Sequence, residues 1–427
     1  MKNQTLCFDK KKKHCGFIST RLAGMDGVSL ETKKWADIFE DEGIPCFYMA
    51  GELDYPPERS FLVEEAHFAH PEIKAIYNEC FNIKTRKRST TEKIHQLKVK
   101  LKNQIYAFIK KFDLDLLVIE NALCIPLNIP LGIAITEVIS ETGIQTIAHN
   151  HDLFWERKRF LTNAVWEYLN MAFPPHLPSV HHVVINSSAD NQLSLRTGIS
   201  PMLIPNVMDF ETPPPPLDNY ASDVKQALGI KDDELFILQP TRVVKRKGIE
   251  HAIELVHRLG VKAKLVISHA AGDEGLEYEK RIRDYSSMMK VNTLFVSDVI
   301  GEYRGKTRTG KKIYAISDIY PHADLVTYPS DFEGFGNAFL ETIYFRKPIV
   351  VNNYSIFATD IKPKGFKVIE LDGYVNEHAV QQTRDVLQNP GLRQEMVDCN
   401  YEIGKRYYSY SVLHQKLINL IMDCFGK

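Results

Sequence analysis

Short apolar runs rich in β-branched residues alternate with amphipathic stretches along most of the chain. That is the pattern of strands and helices building a parallel α/β sheet. Residues 14–19 read as a first strand, 20–27 as a glycine-bearing loop, and 28–42 as an amphipathic helix that Gly43 ends; a strand follows at 45–49. Residues 61–112 are polar and helical, with Lys84, Arg86, Lys87 and Arg88 on what reads as a solvated face. Residues 114–119 form a buried strand with Glu120 and Asn121 at its carboxyl end. Residues 145–148 form another, which delivers His149, Asn150, His151 and Asp152 to the same edge. Strands at 183–186 and 202–204 close this half, with Ser187, Ser188 and Asp190 in a helix-cap region.

The four prolines at 213–216 can continue neither helix nor sheet and form a stiff spacer. They divide the chain into a domain at 1–212 and a second at 218–407. The second opens with a helix at 222–228 and a strand at 235–238. It continues with a helix from Gly248 and Ile249, strands at 264–268 and 293–296, and a helix at 277–289. Residues 301–312 are basic and glycine-bearing and read as a mobile surface loop. A strand at 324–328, a loop with Gly334 and Gly336, a helix at 337–345 and a strand at 348–351 make one βαβ unit. A last strand is expected at 367–370, then helices to the end. No internal repeat is visible.

At 427 residues, two domains of roughly 200 residues suit the length. The formal charge of −1 steers the chain neither to nucleic acid nor to an anionic membrane. Lys10 to Lys13 read as a solvated flank. No run approaches the roughly 18 apolar residues that span a bilayer, and the polar, then basic start has no apolar region for secretion. The seven scattered cysteines include no CxxC. Reduced thiols in a cytoplasmic protein are expected.

The chemistry gathers after the strands' carboxyl ends, where open α/β sheets bind ligands. Glu333 and Glu341 flank the loop Gly334-Phe335-Gly336-Asn337. Its glycines let backbone N–H groups approach a ligand and aim at an anion with the helix N-terminus. Glu341 lies about one turn inside the helix, placed to accept from two neighbouring hydroxyls. Arg242 and Lys247 follow the strand at 235–238 and favour a diphosphate, through a bidentate fork and a point charge. The loop His149-Asn150-His151-Asp152 reads first as polar and sugar-contacting. A metal site and a capping role are the alternatives, and no third or fourth ligand cluster shows elsewhere. Gly24 and Gly27 do not make GxGxxG.

In order, the glycine loop, His149, Arg242-x4-Lys247-Gly248 and Glu333-x7-Glu341 resemble the retaining glycosyltransferases of family 4, which have the α/β GT-B fold of two Rossmann-like domains facing across a cleft. The resemblance covers nearly the whole chain. It implies that the second domain holds a nucleotide-sugar cosubstrate and the first a carbohydrate acceptor. Arg242 and Lys247 would hold the donor diphosphate and Glu341 the ribose. Glu333, with the backbone at Gly334 to Gly336, would hold the transferred sugar, and His149 would reach it from the first domain. Residues 408–427 would pack back on the first domain. Neither a catalytic cofactor nor a metal is required. Arg21 in the glycine loop and Arg157 beyond Asp152 point to a small, soluble, anionic acceptor. The segment from His149 to Phe160 resembles that of transferases that mannosylate glucosylglycerate, which favours GDP-mannose over UDP-glucose. A UDP-glucose-dependent glucosyltransferase and a nucleotide-sugar epimerase of the same fold are the alternatives, with a catalytically silent nucleotide-binding protein behind them.

Overall fold

The computed structural model describes residues 13–24, 26–270, 276–301 and 303–426. The expectations for Lys10 to Lys12 lie outside these. The chain divides into two compact units, 1–205 with 414–427, and 206–413. The division falls just ahead of the proline run. Phe210 is fully buried in the second unit, where its carbonyl accepts from Tyr401 Oη at 3.1 Å.

The first unit is built on a seven-stranded sheet in the order β3-β2-β1-β4-β5-β6-β7, with every pairing parallel. Its strands are β1 (Cys15–Ile18), β2 (Cys46–Ala50), β3 (Ser60–Leu62), β4 (Leu116–Glu120), β5 (Gln145–Asn150), β6 (Val180–Val184) and β7 (Met202–Leu203). β1 and β4 are buried along their whole length, as continuous apolar runs require. The order reverses between β1 and β4, so the carboxyl ends of these neighbours flank a crevice. The 61–112 stretch departs from expectation. It holds β3 and two separate helices, Pro71–Asn78 and Arg88–Phe112. Arg86 precedes the second helix and is no solvated residue: it pairs with Glu167 and donates to the Ala164 carbonyl. The helix Ser187–Thr197 is capped by Asn186, whose side chain accepts from Ala189 N at 2.7 Å.

The second unit carries a six-stranded parallel sheet in the order β10-β9-β8-β14-β15-β16. These strands are β8 (Leu235–Gln239), β9 (Ala263–Ile267), β10 (Asn292–Phe295), β14 (Leu325–Tyr328), β15 (Ile349–Asn352) and β16 (Ile369–Leu371). Here the reversal lies between β8 and β14. The expected loop at 301–312 is instead part of a small sheet, β11 (Ile300–Gly301), β12 (Gly305–Lys306) and β13 (Lys312–Ala315). Tyr220 fastens it by donating to the carbonyls of Gly305 and Ile313, each at 2.9 Å.

The final helix, Tyr410–Phe425, gives its last residues to the first unit. There His414 Nε2 meets Glu42 Oε1 at 2.8 Å, Lys416 Nζ donates to the Leu203 carbonyl at 2.9 Å, and Leu417, Leu420 and Ile421 are buried. Among the described residues no helix is long and apolar enough to cross a membrane, and six cysteines are free thiols.

Candidate active site

In the second unit, two loops leave the adjacent carboxyl ends of β8 and β14 and are stitched together. Asp331 N donates to the Arg246 carbonyl at 2.8 Å. Gln239, fully buried at the end of β8, donates to the Lys247 carbonyl at 3.1 Å and accepts from Thr327 Oγ1 of β14 at 3.1 Å. Gly248 closes the first loop with a φ of +57°. A Cβ there would stand 2.2 Å from the Pro329 carbonyl oxygen, so only glycine allows this approach. Gly336 has the same role in the second loop: at a φ of +121°, its Cβ would stand 2.7 Å from Tyr354 Oη.

This scaffold brings together the predicted acid and bases. Glu333 is 7% exposed and forms ion pairs with Lys247 and, at 2.9 Å, with Arg246. Burial alone would push its carboxyl up, but Lys247 and Arg246 outweigh that and hold it below the usual carboxylate range. Lys247 is itself buried, with its ammonium 5.3 Å over the Tyr328 ring. Burial, only partly opposed by Glu333, lowers its pKa from the ordinary lysine value. Arg242 is exposed, and among the described residues no carboxylate pairs with it. The result is one buried cation already neutralised and one exposed cation that no carboxylate among the described residues neutralises.

Glu341 sits in the helix Asn337–Tyr344 and accepts from Tyr320 Oη at 2.9 Å. Tyr320 is fully buried, so it fixes one carboxylate oxygen. Of the other loop residues, Gly334 and Asn337 are half-buried, and Asn337 Oδ1 accepts from Asn206 Nδ2 at 2.6 Å. Phe335 is packed against Tyr408, with ring centroids 5.3 Å apart, so its side chain serves the core.

Sequence reasoning left three participants unassigned. Arg246 stands between Lys245 and Lys247, and its sequence position alone does not show that it reaches Glu333. Tyr320 lies 21 residues from Glu341. His269, just past β9, has its imidazole pushed down by burial and then by Arg242 and Lys247, which shows that it shares their field.

In the first unit the glycine loop is held by acids. Gly24 N donates to Asp54 Oδ2 at 2.8 Å. Asp26 caps the helix Gly27–Asp41, accepting from Val28 N, Ser29 N and Arg21 at 2.9–3.2 Å. A phosphate there would have to displace these carboxylates. Arg157 pairs in the same way with Asp152 at 2.5 Å. An anionic acceptor would therefore compete with an aspartate at either arginine.

The sequence showed no third ligand beside His149 and His151; the fold supplies one. In the β4–β5 ladder Glu120 and His149 are direct partners. His149 Nδ1 lies 3.2 and 3.1 Å from the two Glu120 oxygens, and His151 Nε2 lies 3.1 Å from Oε2. The three groups are buried. Burial would raise the Glu120 carboxyl, but the two histidines outweigh it and hold it down at about 2. His149 is only 1% exposed and stacks on Trp35 at 4.2 Å, whereas His151 is 8% exposed. Asn150 is also buried, donating to the Ala148 carbonyl at 3.1 Å.

Residues 222–402 match the family model described as glycosyl transferases group 1. The chain is 32% identical to mannosylglucosylglycerate synthase of Thermotoga maritima over 92% of its own length and 96% of the relative's. It is 29% identical to the enzyme of that name from Petrotoga mobilis, covering 83% and 86% of the two chains. Among solved structures, a glycosyltransferase from Rickettsia africae superposes with a TM-score of 0.70 at 12% identity, over 97% of this chain and 99% of that one.

Proposed function

The chain belongs to the group 1 glycosyl transferases, with the GT-B fold of two Rossmann-like units, and on that premise we propose that it moves a mannosyl group from GDP-mannose to glucosylglycerate with retention of configuration. The observation that carries this reading is the near full-length match to the Thermotoga relative. In this reading the exposed Arg242 takes the donor diphosphate together with Lys247. Glu341 accepts from the ribose hydroxyls, and Glu333 accepts from the transferred sugar while its other oxygen keeps Lys247 in place. The bond from the anomeric carbon to the diphosphate oxygen breaks, leaving oxocarbenium-like charge on the sugar. The acceptor oxygen bonds to that carbon on the same face, and the departing diphosphate takes the acceptor's proton. Lys247 and Arg242 stabilise the charge that grows on the leaving group, and holding the acceptor on that face supplies proximity.

Offered GDP-mannose and UDP-glucose, each with glucosylglycerate, glucose or a polyprenyl-phosphate sugar, the protein is expected to release nucleoside diphosphate fastest with GDP-mannose and glucosylglycerate. The product's anomeric configuration, read by NMR, is expected to match the donor's. Activity with UDP-glucose alone, a preference for the lipid acceptor, or an inverted product would overturn the reading. Conversion of donor with no acceptor present would favour the epimerase instead.

Glu341→Ala is expected to weaken donor binding at least about tenfold, since hydrogen bonds to an ionised carboxylate are worth roughly 1.5–3 kcal/mol each. Tyr320→Phe removes one contact to that carboxylate and should cost about three- to tenfold. Calorimetric titration with GDP checks both. Unchanged affinity in Glu341→Ala would remove that residue from the ribose site.

A further inference from the structure

We propose that Glu120, His149 and His151 form a binding site in the first unit for one borderline divalent metal ion, with Zn²⁺ the best fit. The donor set is two imidazoles and one carboxylate, a combination that suits zinc. Their ligand atoms lie within 4.8 Å of one another, and all three side chains are buried.

The spacing suits an ion as well as it suits hydrogen bonds, whose N–H···O distances run to about 3.2 Å. The three contacts here are 3.1, 3.1 and 3.2 Å. Atoms bound at roughly 2.0–2.1 Å around a tetrahedral ion stand about 3.3 Å from each other. His149 Nδ1 is also nearly equidistant from both Glu120 oxygens.

The surroundings are rigid. Glu120 and His149 are fixed by the ladder between β4 and β5. Asn121, directly after Glu120, takes the left-handed conformation with a φ of +59°, which a non-glycine residue adopts at a cost. Its side-chain oxygen accepts from His151 N at 2.8 Å, and its N–H donates to the His149 carbonyl at 3.1 Å. One strained residue thus ties the turn after β4 to the backbone of both histidines. Trp35 covers the His149 ring. Three protein ligands leave one tetrahedral position for water, and His151 is the ligand with some exposure. The inference does not rest on the proposed transfer reaction, although His149 is also the residue that the family resemblance aims at the transferred sugar.

The test uses the full chain, stripped with chelator and titrated with Zn²⁺ by calorimetry and with Co²⁺ by visible absorption. One equivalent should bind, with submicromolar affinity for Zn²⁺ and the intense d–d bands of four-coordinate Co²⁺. Zn²⁺ should raise the thermal midpoint by mass action. Glu120→Gln and His151→Gln should each weaken binding by about a hundredfold or more. No binding of either metal by the wild-type chain would overturn the proposal, whether or not the variants fold. So would variants that bind as tightly as wild type, since the ion would then sit on other ligands.

Discussion

Lys247→Ala is expected to lower kcat with the nucleotide-sugar donor by about 10²- to 10³-fold, the usual loss when one preorganised charge stabiliser is removed. The donor KM should change much less. A diphosphate bound as part of the donor carries less charge on its bridging oxygen than it does while departing, so a cation beside it gains most in the transition state. Lys247 suits that role because it is only 8% exposed, so its field is little screened by water. Arg242 is exposed. Arg242→Ala should therefore raise KM more than it lowers kcat. Steady-state kinetics followed by released nucleoside diphosphate separates the two variants. A Lys247→Ala enzyme with intact kcat and only a raised donor KM would show that the residue binds donor and transition state equally.

What the sequence revealed of this site, and what it hid, follows the range of the interactions. β1, β4, β8 and β14 were legible because buried parallel strands are continuous apolar runs, and that signal is local. The glycines at 248 and 336 were legible for the same reason: the need for φ > 0 belongs to one residue. The small sheet of β11, β12 and β13 was not. Its shortest strands are two residues long and carry no periodicity. They are held by Tyr220 and by the ion pairs of Arg304 with Asp218 and Asp318. Arg86 was misread because its partners, Ala164 and Glu167, lie about eighty positions away.

Glu120 shows the same limit at a candidate site. It stands 29 positions before His149, and only the parallel register between β4 and β5 makes them neighbours. Phe335 shows the converse. It lies in the loop from Glu333 to Gly336, whose backbone was expected to face a ligand, and its aromatic side chain anchors that loop to the core. The Tyr408 ring is what it meets. A loop motif locates the backbone of a site better than it assigns each side chain to ligand or core.

Glu333→Gln should separate what the buried charge cluster contributes to stability from what it contributes to catalysis. The substitution keeps the shape and removes the charge, leaving the buried Lys247 ammonium without an ionised partner. Breaking one side of a buried pair costs about 3–5 kcal/mol, whereas replacing both charges with matched neutral groups is often close to neutral. Glu333→Gln alone should therefore destabilise the fold by about 3 kcal/mol, and Lys247→Met/Glu333→Gln should recover most of that loss. Activity should follow the opposite rule and stay at least about a hundredfold down in the double variant, as the proposed roles of the two charges toward the leaving diphosphate and the sugar require. The pH dependence has a definite sign. The folded-state pKa of Glu333 lies below the ordinary value of 4.5, so its stabilising contribution is complete above that value and is lost as pH falls through the folded pKa. The stability gap between wild type and Glu333→Gln, measured by urea unfolding, should be full at neutral pH and should narrow as the medium is acidified below about pH 4. A gap that stays constant through acid would mean that Glu333 is not held as an ionised partner. A double variant that regains activity along with stability would take the pair out of the chemistry and leave it a structural clamp between the loops after β8 and β14.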